Sequence, residues 1–246
     1  MSLRQTLKRI AGRRGRLFLR RIRTRRWAIA RIYRDYLQGM QAIEIGGPSD
    51  NLGYAGCFPI YCCLRSIDNC NYAADTLWHS EAVMYRRTLI CEATQLTADD
   101  ATYDCAIASH CLEHIANPLK ALLEWRRVLR KDGLLLLILP HRDHTFDWRR
   151  PATSLEHMRD DFQRGTPETD LSHLDEILAL HDLSRDPPAG TLEEFKNRCL
   201  KNAGFRAMHH HVFVPETAAQ LIGEAGYSVV RRDVQASNII LLGKKG

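Results

Sequence analysis

The alternation of apolar and polar stretches along the chain predicts strands that alternate with helices. Short apolar runs bounded by glycine, proline or acidic residues are typical of buried strands. Five such runs occupy residues 42–47, 61–68, 88–93, 103–110 and 134–140. The last of them, LLLLILP, is continuously apolar, which indicates a parallel strand that is covered on both faces.

Two amphipathic stretches predict helices between and after these strands. In residues 111–130 the leucines recur at helical spacing, and Pro118 breaks the start of the helix. A second helix is predicted over about residues 215–224, followed by strands over residues 227–234 and 238–245. The link between these two strands is too short for a parallel crossover, so they should pair antiparallel. The sequence therefore predicts an α/β fold: a doubly wound, mostly parallel seven-stranded sheet with one antiparallel strand.

Residues 141–214 interrupt the regular pattern with a long polar segment that is rich in His and Asp. Thr153-x-x-Glu156 and Thr191-x-x-Glu194 have the form of capping boxes, in which the two side chains bond free N–H groups at the start of a helix. A structureless loop of this length would be unusual in a compact domain. We therefore predict that this segment is a helical cap inserted into the fold.

The N-terminal end differs in charge from the rest of the chain. Residues 1–34 hold 13 Lys or Arg, whereas all 29 Asp and Glu lie in the remainder, which is net acidic. Apolar residues such as Phe18 and Trp27 are interspersed with the positive charges, as in a helix that lies on an anionic membrane. We therefore divide the chain into a basic helical arm, residues 1–36, and a domain, residues 37–246. The alternatives are an RNA-binding arm, a transit peptide and a helix that packs on the domain.

The eight cysteines bear on the compartment and on metal binding. Cys62, Cys63, Cys91 and Cys105 lie in apolar runs, where a free thiol packs as a small hydrophobe. A chain of this length needs no disulfide framework, so we expect a reducing, cytoplasmic compartment, with the arm adding contact with the inner face of the membrane. No C-x-x-C pair offers a structural zinc site, and we expect no metal.

A resemblance to a known family rests on residues 104–140, which read DCAIASHCLEHIANPLKALLEWRRVLRKDGLLLLILP. This stretch resembles the class I, Rossmann-like S-adenosylmethionine-dependent methyltransferases, in particular the methyltransferase type 11-like group. The likeness extends over about residues 40–140 and 215–245. It implies a transferase whose cofactor is S-adenosylmethionine, with the polar insertion as its substrate cap. A nicotinamide-dependent dehydrogenase is the alternative, but the G-x-G-x-x-G spacing of that class is missing.

The cofactor is expected beyond the carboxyl ends of the strands, where open parallel sheets bind ligands. Glu44, Gly46 and Gly47 end the first strand there, and glycine lets the backbone approach a ligand closely. Pro48 departs from the family pattern, which has a second glycine at that position. Asp68 is predicted to end the second strand and to accept hydrogen bonds from the ribose hydroxyls. A solvated turn acid is the alternative for Asp68.

Three further residues complete the predicted cofactor site. Glu92 and Ala93 end the third predicted strand, where the family holds the adenine, and Ser109 lies near the end of the fourth. A side-chain acceptor suits the exocyclic amine of adenine, and a backbone N–H suits a ring nitrogen. A plain surface acid is the alternative for Glu92.

Histidines at the same edge of the sheet are the candidate catalytic residues. A base that removes the proton helps a hydroxyl to accept a methyl group, and the ordinary pKa of histidine suits that role. His141 and His144 follow the fifth strand and are the preferred bases, with His110 at the end of the fourth strand as the alternative. Asp143 or Asp147 is placed to orient an imidazole.

A divalent metal is another explanation for these histidines. The run His209–His211, together with His141 and His144, would then bind an ion that polarises the acceptor hydroxyl. Adjacent histidines on a strand point alternately to its two sides, so the three cannot all face one ion. The sequence therefore favours a site without metal.

The preferred function is methyl transfer to a hydroxyl of a saccharide, as in polysaccharide biosynthesis, or of another polar small acceptor. Phe146, Trp148, Arg149 and Arg150 in the cap are candidates for selecting that acceptor. One alternative is an RNA or protein methyltransferase that uses the basic arm, although the acidic domain would repel a phosphate backbone. The other is a non-catalytic relative that has lost cofactor binding.

Overall fold

The computed structural model describes residues 28–53, 56–74 and 85–246. Its centre is a seven-stranded sheet with the strand order β3-β2-β1-β4-β5-β7-β6. The strands are β1 (Gln41–Ile45), β2 (Ser66–Asn71), β3 (Thr88–Ile90), β4 (Tyr103–Ser109), β5 (Leu129–Pro140), β6 (Tyr227–Gln235) and β7 (Asn238–Lys245). β7 runs antiparallel to both of its neighbours, and the other pairs are parallel. The predicted mostly parallel sheet with one antiparallel strand is confirmed.

Helices cover the sheet and build the cap. In the part of the chain that the structure describes they are α1 (residues 28–37), α2 (Pro118–Val128), α3 (Leu155–Arg164), α4 (Leu174–Leu180), α5 (Leu192–Cys199), α6 (Asn202–Phe205) and α7 (Pro215–Glu224). Pro118 begins α2 because proline lacks an N–H that the first helical residue does not need. The Asn117 side chain caps the same helix by accepting a hydrogen bond from the Lys120 N–H at 3.1 Å.

The second strand lies further along the chain than its apolar run predicts. Tyr61–Cys63 form a 3-10 helix, and β2 begins only at Ser66. The polar residues of β2 are buried, so a hydropathy pattern cannot recognise the strand. Asp68 is therefore its third residue, and Asn71 is the residue at its carboxyl end.

The fifth strand is longer than predicted. It begins at Leu129, ahead of the apolar run that starts at Leu134. The predicted turn between them is a bulge within the strand, where Asp132 has a φ of +61° and the register with β4 shifts.

Apolar layers enclose both faces of the sheet. Ile43 and Ile45 point into the layer that contains Trp125 of α2. Ala42 points to the opposite layer, which contains Leu37 of α1. With both faces covered, the strand ends are the part of the sheet that is left for ligands.

Helix α1 belongs to the domain and not to a separate arm. Ala30, Tyr33 and Leu37 recur on one side of it and are buried in the core. The Tyr33 hydroxyl also donates a hydrogen bond to Asp233 of β6 at 2.8 Å. This packing does not support the predicted boundary between residues 36 and 37, because the helix that spans it packs on the sheet.

The remainder of the predicted arm, residues 1–27, lies outside the described residues, and its contact with a membrane stays a prediction. Among the described residues, no helix is both long and apolar enough to cross a membrane.

Helices α3 to α6 form the predicted cap, and one of its two capping boxes is confirmed. Thr191 Oγ1 accepts a hydrogen bond from the Glu194 N–H at 3.2 Å, and Glu194 Oε2 accepts one from the Thr191 N–H at 2.7 Å. The other prediction is wrong, because Ser154 caps α3. Thr153 Oγ1 instead accepts a hydrogen bond from the Val212 N–H at 2.9 Å.

Candidate active site

A cavity of about 240 Å³ lies at the carboxyl ends of β1, β2, β3 and β4, bordered by the cap. The residues that line it from the sheet side are Gly46, Cys70, Asn71, Tyr72, Cys91, Glu92, Ala93, His110, Cys111, His114 and Ile115. The cap contributes Glu168, Phe205 and Arg206. This is the position expected for the ligand of an open parallel sheet.

The turn after β1 requires glycine at two successive positions. Gly46 has a φ of +78°, and a Cβ there would lie 2.7 Å from Cys111 Sγ. A Cβ at Gly47 would lie 2.4 Å from Glu44 Cδ and 2.5 Å from the Tyr85 hydroxyl. Of the two glycines, Gly46 lines the cavity, whereas Gly47 packs against the groups beneath the turn.

Glu44 is completely buried and does not line the cavity. The Tyr61 hydroxyl lies 2.9 Å from both of its carboxylate oxygens, and the Tyr85 hydroxyl donates to Oε2 at 2.6 Å. Burial raises the pKa of Glu44 to about 7, although the hydrogen bonds from the two tyrosines oppose the rise. Glu44 thus packs beneath the turn. Its position does not support the predicted contact with the cofactor.

The raised pKa of Glu44 predicts that stability falls as the pH rises. The folded protein keeps the Glu44 proton up to about pH 7, whereas the unfolded chain releases it near pH 4.5. This stabilisation is complete below the unfolded pKa and is lost as the pH rises through the folded pKa. Between about pH 5 and pH 8 the loss amounts to about 2–3 kcal/mol. E44Q should remove it, as measured by urea unfolding at the two pH values.

A matched control is E216Q, which changes an exposed carboxylate in the first turn of α7. It should keep the pH dependence of the wild type. If E44Q loses as much stability between the two pH values as E216Q does, Glu44 does not cause the pH dependence of stability.

Asp68 faces protein groups and does not line the cavity. Its carboxylate accepts hydrogen bonds from Arg86 at 2.7 and 2.9 Å, from Arg87 at 2.8 Å and from the Tyr103 hydroxyl at 2.8 Å. Burial alone would raise the pKa of Asp68, but these hydrogen bonds outweigh it and lower the pKa. This placement does not support the predicted contact of Asp68 with the ribose, because Asp68 lies inside β2 and these groups occupy its oxygens.

Asn71 stands at the end of β2, where an acid was expected. It lines the cavity, and its Nδ2 donates a hydrogen bond to the Gly47 carbonyl at 2.6 Å. This bond ties the end of β2 to the turn after β1. The amide oxygen is then the acceptor that Asn71 offers to a ligand hydroxyl.

Glu92 and Ala93 line the cavity, as their prediction requires, although β3 ends before them at Ile90. The Ala93 carbonyl accepts a hydrogen bond from Trp125 Nε1 at 2.9 Å, which fixes this segment against α2. Its backbone is therefore held firmly at the wall of the cavity.

Arg206 joins the cap to the sheet across this cavity. Its guanidinium donates to Glu92 Oε1 at 2.7 Å, pairs with Glu168 and lies 4.8 Å from the centre of the Tyr72 ring. Sequence reasoning missed Arg206 and Glu168, because nothing local distinguishes them from other charged residues of the cap. Their partners are distant in sequence: Arg206 bonds to Glu92, 114 positions away, and Glu168 accepts from the Ala116 N–H, 52 positions away.

A second cavity of about 180 Å³ lies beside the first. Its lining consists of Asn51, Cys57, Phe58, Ser109, His110, Ile138, Gln235, Ala236, Ser237, Asn238 and Ile240. Ser109 lines this second cavity and not the first, which does not support its predicted role as a cofactor residue. His110 lines both cavities and therefore stands where they meet.

His110 is held at this junction by its backbone and its ring. Its φ is +51°, a conformation that histidine adopts more readily than most side chains. Nε2 lies 2.9 Å from Asn238 Oδ1, and Nδ1 lies 3.8 Å from Glu113 Oε1. Glu113 is completely buried, its carboxylate oxygens have no hydrogen-bond partner among the described residues, and burial raises its pKa.

His141 and His144 line neither of these two cavities. His141 precedes a 3-10 helix and its Nδ1 accepts a hydrogen bond from the Asp143 N–H at 3.3 Å, whereas His144 is exposed. Their positions do not support their selection as the preferred bases, whereas His110, the alternative, lines both cavities.

The three consecutive histidines of the cap have three different partners. They are Asp147 Oδ2 at 2.5 Å from His209 Nδ1, Asn202 Nδ2 at 3.1 Å from His210 Nε2, and the Ala116 carbonyl at 3.3 Å from His211 Nε2. The expectation that they do not converge on one ion is confirmed. Asp147 is thus committed to His209 and does not orient His141 or His144.

Residues 60–137, which run from the segment before β2 into β5, match the family model of a methyltransferase domain. No curated protein matches the chain. Similar solved structures include S-adenosylmethionine-dependent methyltransferases from three organisms. These are Thermotoga maritima (15% identity, 97% of each chain, TM-score 0.48), Methanosarcina mazei (13% identity, 87% of this chain and 96% of that chain, TM-score 0.48) and Mesorhizobium loti (9% identity, 89% and 97%, TM-score 0.48).

The first cavity has groups that fit S-adenosylmethionine. Gly46 lines the cavity at the end of β1, where a residue without a Cβ lets a ligand approach the backbone closely. The Asn71 oxygen and the Glu92 carboxylate line the cavity, and they are acceptors of the kind that suit a ribose hydroxyl and the adenine amine. The family match spans β2 to β4 and most of β5, and the sheet has the predicted strand pattern with this cavity at its strand ends, so this part of the chain is similar to a methyltransferase domain.

Proposed function

We propose that this chain is an S-adenosylmethionine-dependent methyltransferase that methylates a hydroxyl of a neutral polar small molecule, such as a saccharide, with His110 as the general base. The observation that carries the proposal is that His110 lines the cofactor cavity and the second cavity together. An acceptor in the second cavity would meet the cofactor at this histidine.

The chemistry of the second cavity supports a neutral acceptor. Among the described residues that line it, none is Lys, Arg, Asp or Glu. Its polar groups are the amides of Asn51, Gln235 and Asn238 and the hydroxyls of Ser109 and Ser237. Amides and hydroxyls both donate and accept hydrogen bonds, which suits the hydroxyls of a sugar. A phosphate backbone would instead call for basic side chains.

The surroundings of His110 support its role as a base. Asn238 Oδ1 can only accept a hydrogen bond, so the contact at 2.9 Å favours the tautomer with the imidazole proton on Nε2. Nδ1 then carries the lone pair that takes a proton from the acceptor hydroxyl. Asn238 also lines the second cavity, so one residue orients the imidazole and borders the acceptor.

S-adenosylmethionine supplies the methyl group, attached to a sulfonium that leaves as a neutral thioether. The contribution of the chain is to hold the acceptor oxygen in line with that methyl group. His110 removes the hydroxyl proton as the new bond forms, and the cap keeps water from the reacting atoms.

The test is a transfer assay with S-adenosylmethionine that carries a labelled methyl group. The full chain is incubated with separate pools of neutral saccharides, RNA and protein. We expect label in the saccharide pool, at a hydroxyl. Label in RNA or protein alone would contradict the proposed acceptor class while leaving the methyltransferase activity intact. Absence of S-adenosylmethionine binding by calorimetry would contradict the proposal at an earlier step.

A further inference from the structure

We propose that the cap holds one Zn²⁺ ion, bound by His157, Asp161, His173 and His211. Each of these side chains offers one ligand atom, and the four atoms all lie within 4.8 Å of one another. The group lies outside both cavities of the proposed active site and does not depend on the identity of the acceptor.

Three elements of the cap bring the four side chains together. α3 supplies His157 and Asp161, which are four residues apart and therefore lie on the same side of the helix. His173 directly precedes α4, and His211 ends the run of three histidines. His157 Nε2 lies 3.2 Å from Asp161 Oδ2 and 3.1 Å from His173 Nε2. His211 Nε2 lies 3.9 Å from the same Asp161 oxygen.

These spacings agree with tetrahedral coordination. Zinc binds imidazole nitrogen and carboxylate oxygen at about 2.0–2.1 Å, so two ligands of a tetrahedral ion lie roughly 3.3 Å apart. The separations of 3.1 and 3.2 Å match this value, and the one of 3.9 Å reaches it with a small rotation of a side chain. A cluster held only by hydrogen bonds from one protonated imidazole would not require four possible ligand atoms to lie this close together.

The hydrogen bonds around Asp161 point to the same conclusion. Its Oδ2 is buried and accepts no hydrogen bond from any described residue, although His157 Nε2 lies 3.2 Å away. The other oxygen, Oδ1, accepts a hydrogen bond from Thr166 Oγ1 at 2.9 Å. A buried oxygen without a partner is unfavourable, and a cation at the centre of the group provides that partner. The bond from Thr166 is of the kind that orients a metal-binding carboxylate.

The ligand set selects the ion and its role. Three imidazoles and one carboxylate suit Zn²⁺ better than Ca²⁺ or Mg²⁺, which prefer oxygen ligands. Four protein ligands complete a tetrahedral shell and leave no position for a substrate or water. The site is therefore structural.

Such an ion would fix the part of the cap that borders the cofactor cavity. Glu168 lies between the ligands of α3 and His173, and Phe205 and Arg206 precede His211. Zinc would hold α3, the start of α4 and the histidine run together, and so would keep these wall residues in place. We therefore expect zinc to stabilise the domain and to support cofactor binding.

A rival group is less complete. Glu113, His114 and His209 also lie close together, but they supply three ligands. His209 Nδ1 lies 2.5 Å from Asp147 Oδ2 and His114 Nδ1 lies 3.0 Å from the Met208 carbonyl, contacts of the kind that orient a metal-binding imidazole, so this group needs its own variant in the test. The experiment is designed to separate the two groups.

The test is a titration of the full chain with Zn²⁺ after treatment with a chelator, followed by calorimetry and by thermal unfolding. We expect one Zn²⁺ per chain in the wild type, with a rise in Tm on binding. H173A should weaken binding by at least about 10²-fold and abolish the rise in Tm. H144A, which changes an exposed histidine outside both groups, and H114A should both bind as the wild type does.

Cobalt gives a second measurement that needs no variant. Co²⁺ added to the metal-free wild type should produce the intense visible absorption of a tetrahedral site, and added Zn²⁺ should remove it. The proposal is overturned if the wild type takes up no Zn²⁺, or if its cobalt spectrum is that of an octahedral ion. It is also overturned if H114A loses the ion while H173A keeps it.

Discussion

Replacement of Gly46 by alanine should weaken the binding of S-adenosylmethionine by about 10²-fold, because overpacking of this kind costs about 1–3 kcal/mol. The added Cβ would lie 2.7 Å from Cys111 Sγ and 3.0 Å from Cys111 Cβ, in the wall of the cofactor cavity. The Cys111 Sγ can rotate away, but the Cys111 Cβ is fixed to the backbone, so the loop after β4 has to shift at the wall of the cavity. Calorimetric titration of S-adenosylmethionine into the variant measures the effect.

Gly39 provides a matched control for the strain of the backbone. Its φ is +75°, close to the +78° of Gly46, but a Cβ there meets no described atom within 4 Å. G39A and G46A therefore share the cost of placing alanine in the left-handed region, and they differ in contact with Cys111. We expect G39A to bind the cofactor as the wild type does. Equal losses of affinity in G39A and G46A would show that backbone strain, and not the contact with Cys111, weakens the binding of S-adenosylmethionine.

The sheet could be predicted well from the sequence, because the order of apolar runs and linkers largely determines the topology of an α/β fold. β7 and α7 have the predicted bounds to the residue. β2 does not, because its stability comes from buried polar residues whose partners are distant in sequence. Asp68 bonds to Tyr103 of β4, and Asn71 bonds to Gly47 beyond β1. A hydropathy pattern contains no information about such partners.

The residues of the candidate site likewise divide into those that the sequence pattern predicts and those that it does not. Gly46, Glu92 and Ala93 follow from the rule that ligands lie beyond strand ends, and all three line the cofactor cavity. Arg206 and Glu168 reach the cavity from the cap, whose fold no local pattern specifies. Likewise, the order of His110, His141 and His144 along the chain does not tell which residue lines the cavities, because all three follow the carboxyl ends of neighbouring strands and only His110 lines both cavities.

Replacement of His110 by asparagine should lower kcat by about 10²–10⁴-fold, the usual effect of losing a general base. Asparagine is chosen because it tolerates the left-handed backbone of this position, where φ is +51°. The variant keeps a polar side chain between the two cavities but cannot take a proton. Affinity for S-adenosylmethionine should stay close to that of the wild type, since Gly46, Asn71 and Glu92 are unchanged.

The matched control is H144N, which makes the same change at an exposed histidine that lines neither cavity. The two variants are compared in kcat and KM for the acceptor and in calorimetric affinity for the cofactor. A base at His110 predicts that H110N loses kcat while KM changes little, and that H144N resembles the wild type. If H110N instead raises KM and keeps kcat, His110 binds the acceptor without taking its proton. A loss of kcat confined to H144N would return the base to the turn after β5, which would then have to move towards the cavities during the reaction.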